Sequence, residues 1–288
     1  MLGVILALLS GIANNIGMIL QKKVVNKYSS KEKFFKNLIK NPLWCFGLIL
    51  QLFIGAIFFM IAQMFIGPSM IPGLMAVGLI ILALGSIKIL GEKLNKLEIF
   101  GIILMIIAIT LIGLSGVEIN IENINIIEIN LLIRITLFTL FFTIISLILF
   151  IFQKKKFYPG ISAAINSGIM FSLSNFWIFP LMATITQIFL LNVLLDELII
   201  FIIASIILIL TNIFGIAKIQ EAFKFGQASN LIPIQQIPVQ ISSPSYYILI
   251  YAKLPNIQSL FLIWAGVILV IISSFILGKR QAKLEKIS

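Results

Sequence analysis

The chain of 288 residues contains no histidine and a single cysteine, Cys45, and only 11% of its residues are charged. Each shortage closes a route. Without histidine there is no imidazole metal centre and no histidine proton relay. One cysteine forms neither an internal disulfide nor a multi-thiolate metal site. A soluble surface needs about a quarter of its residues charged, and this chain has nothing like that. What is abundant is hydrocarbon: 60% of residues are apolar and the mean hydropathy is +1.16. Apolar runs of about 18 residues or more recur from end to end, each sufficient to cross about 30 Å of bilayer core. These features predict an all-α, polytopic membrane protein, one transmembrane domain over 1–288 with the lipid bilayer as its first partner.

The net charge of +11 is not a nucleic-acid signature, because the basic residues fall in short clusters between apolar runs. No basic leader or small-residue cleavage site precedes Gln21-Lys22-Lys23, so residues 2–20 read as a first spanning helix rather than a signal peptide. Nine spans fit the pattern: 2–20, 43–66, 70–90, 97–115, 131–152, 161–192, 198–217, 229–250 and 257–277. The sixth is long, either one helix kinked at Pro180 or two short helices breaking near Asn175–Pro180. Charge favours the single helix. With nine spans and the N-terminus outside, the lysines of 21–42, Lys93 and Lys96, Lys154-Lys155-Lys156, Lys218 and Lys224, and Lys279-Arg280 all face the cytoplasm. The acidic residues Glu118, Glu122, Glu128, Asp196 and Glu197 then face outward, with Lys253 the one basic residue in the outward loops, in a multi-pass protein of the cell membrane. Lys88 and Arg134, each one turn inside a span, can snorkel to the interface, although Arg134 is also a candidate for gating or substrate attraction. Residues 31–40, with aromatic and aliphatic residues among lysines, have the make-up of an interfacial helix on the inner leaflet.

The two halves echo each other. Ser10-Gly11-Ile12 matches Ser167-Gly168-Ile169, and Ile71-Pro72 matches Ile232-Pro233. Gly101 and Gly113 match Gly266 and Gly278. Spans one to four (1–116) map onto six to nine (161–288), with an odd linker helix in 117–160. An odd intervening span turns the second copy over, which predicts two inverted repeats in a 4+1+4 arrangement, as in many secondary transporters.

The same residues resemble a known family. Ser10-Gly11-Ile12-Ala13-Asn14-Asn15-Ile16-Gly17 with Gln21-Lys22-Lys23 is similar to the first helix of NIPA-like magnesium transporters. Asn41-Pro42-Leu43-Trp44, Gly67-Pro68, Ile71-Pro72-Gly73 and Gly91-Glu92-Lys93-Leu94 resemble that family and its parent drug/metabolite transporter superfamily, which includes EamA-like permeases. So, more thinly, do Gln220-Glu221-Ala222-Phe223-Lys224 and Pro233. The resemblance implies a solute carrier working by alternating access, with Mg²⁺ as cargo. The chemistry qualifies that cargo: all ten acids lie in loops or at span ends, whereas Mg²⁺ is usually held by carboxylates. A bare ion at mid-membrane is disfavoured, and a hydrated one held by amides and carbonyls fits better.

The interior instead holds amides and hydroxyls: Asn14 and Asn15 in the first span, Gln51 and Gln63 in the second, Asn166, Ser167, Ser172, Ser174 and Asn175 in the sixth, and Asn230, Gln235, Gln236 and Gln240 in the eighth. Such groups often serve only to hydrogen-bond helices together. The eighth span is different, because Pro233, Pro238 and Pro244 loosen its backbone ladder, and broken polar helices at matching places in two repeats mark a transport site. Asn14, Asn15, Asn166, Asn175, Gln235 and Gln236 are therefore the candidate substrate-binding residues, with Pro72 and Pro233 shaping the cavity. Gly91-Glu92-Lys93-Leu94 reads as a structural turn, with Glu92 near a helix N-terminus. No cofactor or catalytic set is expected, and the residues assign no metal ligands. The function expected is transport of a small polar solute or cation, with a drug or metabolite exporter as the alternative. An intramembrane lipid-modifying enzyme is the remaining alternative, and it lacks the clustered acids or histidines such chemistry needs.

Overall fold

A computed structural model describes residues 1–28, 33–66, 71–116, 126–189, 194–252 and 254–287. The outward loop 67–69, most of the loop 116–130 with Glu118 and Glu122, residues 31–32 of the proposed interfacial segment, and Lys253 lie outside them. The described chain is helical throughout: α1 (Leu2–Tyr28), α2 (Phe34–Ile39), α3 (Pro42–Ile49), α4 (Gly55–Ile66), α5 (Ile71–Met75), α6 (Gly78–Lys88), α7 (Lys96–Leu114), α8 (Ile129–Lys154), α9 (Pro159–Phe189), α10 (Leu195–Ala222), α11 (Ala228–Leu249) and α12 (Ile257–Ile287). A π-helical turn, Leu50–Ile54, joins α3 to α4 without a break in direction. Helix is the expected answer, since hydrocarbon offers no partner to a backbone N–H or C=O.

Among the described residues, seven helices are long and apolar enough to cross a bilayer, and the protein is a polytopic membrane protein. Two segments stand apart from those seven. The third, residues 71–88, is broken into short α5 and α6, and α11 carries three internal prolines. Pro180 lies inside the helical run of α9, so the sixth segment is one helix.

Local chemistry sets several boundaries. Asn41 caps α3, accepting from the amides of Leu43 (3.0 Å) and Trp44 (3.3 Å), with Pro42 in the first turn where its missing N–H costs nothing. Asn95 and Glu98 form a reciprocal capping box on α7 (2.8 and 2.7 Å). Gly91, at φ +69°, provides the left-handed residue that turns the chain out of α6.

The helices meet in a paired pattern. In the first half α1 packs on α3–α4 and on α5–α6, and in the second α9 packs on α10 and on α11. Ser10 Oγ donates to the Gly55 carbonyl (2.7 Å), and Ser167 Oγ donates to the Gly215 carbonyl (2.6 Å). Asn15 Nδ2 donates back to the Gly11 carbonyl (2.9 Å), and Ser172 Oγ donates back to the Gly168 carbonyl (2.9 Å). A Cβ on Gly11 would overlap the Met75 carbonyl, and one on Gly168 would overlap the Gln235 carbonyl. These contacts set α9 at an offset of 157 from α1 and α11 at 160 from α5, one short of the 161 that separates Pro72 from Pro233.

The fourth pair closes the pattern, because α7 and α12 pack on each other. Gly101 faces Leu277 and Gly266 faces Ile112, the same contact made reciprocally. Ser115 at the end of α7 accepts from Ser259 at the start of α12 (2.5 Å). Glu98 at the start of α7 lies 3.5 Å from the Arg280 guanidinium near the end of α12. The two helices are antiparallel.

One end of the bundle gathers the basic segments. The end of α1, the start of α3, the α6–α7 turn, the ends of α8, α10 and α12 and the starts of α9 and α11 are joined there by hydrogen bonds. We refer to it as the basic end. In α2, Phe34 and Leu38 are buried while Phe35 and Ile39 are exposed beside Lys36 and Lys40.

Candidate functional site

An amide inside hydrocarbon must find a partner or a wet cavity, so the destination of each side chain is informative. Asn15 is buried against α6, where its amide lies beside Gly78, and its donor returns to the Gly11 carbonyl of its own helix. Asn14 is half-buried, and its Oδ1 is shielded, with no partner among the described residues. Gln235 is 1% exposed and turns toward α9, donating from Nε2 to Ser167 Oγ (2.7 Å), while its Oε1 has no partner among the described residues. Gln236 accepts from Gln240 Nε2 one turn along the same helix (3.3 Å).

Asn166 faces α8 instead. Its Oδ1 accepts from Ser146 Oγ (2.6 Å) and its Nδ2 donates to the Ser146 carbonyl (3.2 Å), which fastens the linker helix to α9. Asn175 is exposed on α9, although Ser172 three residues earlier is fully buried. Pro233 is buried in the first turns of α11, and Pro72 lies in α5. The structure thus joins Gln235 to Ser167 and Asn166 to α8. Among the described residues no hydrogen bond links the α1 amides to those of α9 or α11.

Asn212 and the linkage of several polar residues at the basic end escaped the sequence reading. Asn212, an amide within the seventh span, donates to Ser174 Oγ (2.6 Å) and to the Leu208 carbonyl (2.8 Å). A relay crosses the basic end: Trp44 Nε1 donates to Gln220 Oε1 (3.1 Å), Gln220 Nε2 to Gln21 Oε1 (2.5 Å), and Gln21 Nε2 to Gln51 Oε1 (2.7 Å). Lys22 is 5% exposed and donates to the Phe223 and Gly226 carbonyls. The available signal was helical period, because α1 continues for two turns past residue 20 and places Gln21, Lys22 and Val25 on the inner side.

Glu92 is a correction in detail. It does sit at a helix N-terminus, but that of α11 rather than of the helix that follows it. Its oxygens accept from Ala228 N (2.7 Å), Ser229 N (3.1 Å) and Ser229 Oγ (2.7 Å). Glu98, fully buried, accepts from Asn230 Nδ2 (2.9 Å). Lys224 rests over the Phe34 ring, 3.6 Å from its centroid, and burial holds its ammonium below the ordinary lysine pKa against the opposing pull of Glu221. Arg134 reaches the Ile250 carbonyl at the end of α11 (3.2 Å), a cation at a helix C-terminus.

A half-open cavity of about 270 Å³ lies between α8, α9 and α11, walled by Phe138, Phe142, Ile169, Pro238 and Ile241 with Ser242 and Ser245. Both serine hydroxyls donate to carbonyls of their own helix, so the wall is apolar in effect. None of the candidate amides lines it. Among the described residues no cluster of three metal-ligating acids or thiols occurs. No family model, curated protein or solved structure matches this chain.

Proposed function

We propose that this membrane protein is a nine-span transporter that moves a small polar solute or cation by rocking two inverted halves, residues 1–116 and 161–288. The broken α5–α6 supplies the third span, α11 the eighth and α8 the linker. The observation that carries this reading is the doubled set of contacts together with antiparallel α7 and α12. Two copies of one contact pattern facing opposite ways form a pair of bodies able to exchange conformations about a common axis, which is the basis of alternating access.

The polarity of the cargo follows from what remains unspent. Asn14 Oδ1 and Gln235 Oε1 are shielded acceptors without donors among the described residues, located on α1 and α11. Carbonyl oxygens suit a cation wearing its hydration shell or a solute rich in N–H and O–H groups. They suit a bare Mg²⁺ poorly, since that ion demands six close oxygens and sheds water reluctantly. Hydrated Mg²⁺, the cargo implied by the NIPA-like resemblance, is thus the specific proposal. Export of a neutral metabolite or drug is the second reading, favoured by the absence of carboxylates among the candidate residues. The positive-inside rule places the basic end in the cytoplasm of the cell, with the N-terminus outside.

The test is uptake by proteoliposomes offered a panel of divalent ions and polar metabolites. Purified Asn14→Leu and Gln235→Leu variants should insert and elute as the parent does, yet lose transport. If both carry solute at the parental rate, these amides only bind helix to helix and the site lies elsewhere. Turnover of a lipid in the same vesicles would replace the transporter reading with an enzymatic one.

A further inference from the structure

The α10–α11 turn belongs to the second half, but both of its ends are capped by charges from the first. The Phe223 carbonyl at the α10 C-cap and the Gly226 carbonyl in the turn that follows take the Lys22 ammonium. The opening amides of α11, Ala228 N and Ser229 N, take the Glu92 carboxylate. Cation at the negative helix end and anion at the positive end is the favourable sense for both dipoles. Lys22 is 5% exposed and Glu92 9% exposed. Around them Gln21 and Trp44 hold Gln220, and Phe34 receives Lys224, three more contacts that bridge one half to the other.

We propose that this clamp is a gate: Lys22 and Glu92 latch the α10–α11 turn shut at the basic end, and the present conformation is the one closed on that side. The inference rests on the rocking-halves reading above. Its physical ground is the contrast between polar and apolar seals. When an apolar interface opens to water, it exposes surface with nothing in exchange. A buried ionic clamp is only weakly stabilising on net, because burial desolvates the charges, and on opening water rehydrates them. A polar latch therefore closes in one register yet releases readily.

The pattern is carried by one end alone. At the offsets of 157 for α9 and 160 for α10 and α11, the counterparts of Gln21, Lys22, Gln220 and Glu92 are Ile178, Phe179, Met60 and Ala252. The repeat thus keeps the helices and changes the latch chemistry. The basic end holds charges and amides where the other half's equivalent positions are apolar.

Reporter thiols test the gate without reference to any cargo. In a Cys45→Ser background, Ser86→Cys and Ala222→Cys place one fully buried thiol in each half near the latch, and Ala7→Cys places one remote from it. The rate of labelling by a water-soluble maleimide is read in nanodiscs. Lys22→Met should raise labelling at positions 86 and 222 by about tenfold and leave position 7 unchanged. Lys22→Arg, which keeps the cation, should stay near the parental rate. Glu92→Gln, isosteric and still able to accept, should raise labelling several-fold and decides the matter if Lys22→Met does not fold. Unchanged rates at both reporters, or an equal rise at position 7, would overturn the latch. A selective rise in a protein that carries no solute in liposomes would leave the latch standing and remove the transporter reading. Uptake with unchanged labelling would do the reverse.

Discussion

Ser10 and Ser167 make the same hydrogen bond, but their removal should not cost the same. Ser10 Oγ donates its proton to the Gly55 carbonyl at 2.7 Å, with Met75 Sδ a weak second acceptor at 3.8 Å. The loss of that bond in Ser10→Ala is worth about 0.6 kcal/mol, the average for polar contacts between membrane helices. Ser167 stands in a relay, donating to the Gly215 carbonyl and accepting from Gln235 Nε2. Gln235 is 1% exposed and its Oε1 already lacks a partner, so Ser167→Ala strips the side chain of its last hydrogen bond. Two lost bonds contribute about 1.2 kcal/mol. A stranded buried donor adds at least about 1 kcal/mol. The expected total is about 2–3 kcal/mol. In a Gln235→Leu background no donor is left to strand, and the same serine substitution should cost about 0.6 kcal/mol. Reversible unfolding in mixed detergent micelles, run on the Ser10→Ala, Ser167→Ala and Gln235→Leu single variants and the Ser167→Ala/Gln235→Leu pair, reads all of these values. If Ser167→Ala costs no more than Ser10→Ala, or if its cost is unchanged when Gln235 is leucine, the relay does not carry the energy assigned to it.

Three further outcomes follow from the packing and the charges. A Cβ on Gly266 would meet the Ala108 carbonyl and the Ile112 side chain, so Gly266→Ala should destabilise by about 1–3 kcal/mol in the same assay. Gly278→Ala meets nothing within 4 Å and should be neutral or stabilising by up to about 1 kcal/mol. Glu98→Ala removes one arm of the α7 capping box, takes from Asn230 Nδ2 the shorter of its two bonds and leaves the shielded Arg280 Nε without its carboxylate, costing about 1–3 kcal/mol. In a cysteine-free background a thiol at position 120 should label only from outside the cell and one at position 284 only from the cytoplasm, and the reverse pattern would overturn the assigned orientation.

The membrane class and the all-helical fold were legible in the sequence because both follow from local quantities. Hydropathy over a span and the need to satisfy every backbone group leave no other structure. Asn41-Pro42 and Asn95 through Glu98 announce helix starts, and the capping geometry follows from residue type alone. Which way a side chain faces is another matter. In water a polar face separates core from surface, but in a bilayer lipid and protein interior are equally apolar, so the helices carry little directional signal. Nothing local distinguishes Asn166 turned to α8 from Asn175 left exposed. Nor does local sequence tell Glu92 to cap α11, 136 residues away, rather than the helix that follows it. Residue type alone requires that polar groups inside the membrane be paired. The choice of partner arises in three dimensions, because pairing is set by helix rotation and crossing, and those are fixed where Gly11 and Gly168 let one backbone come against another.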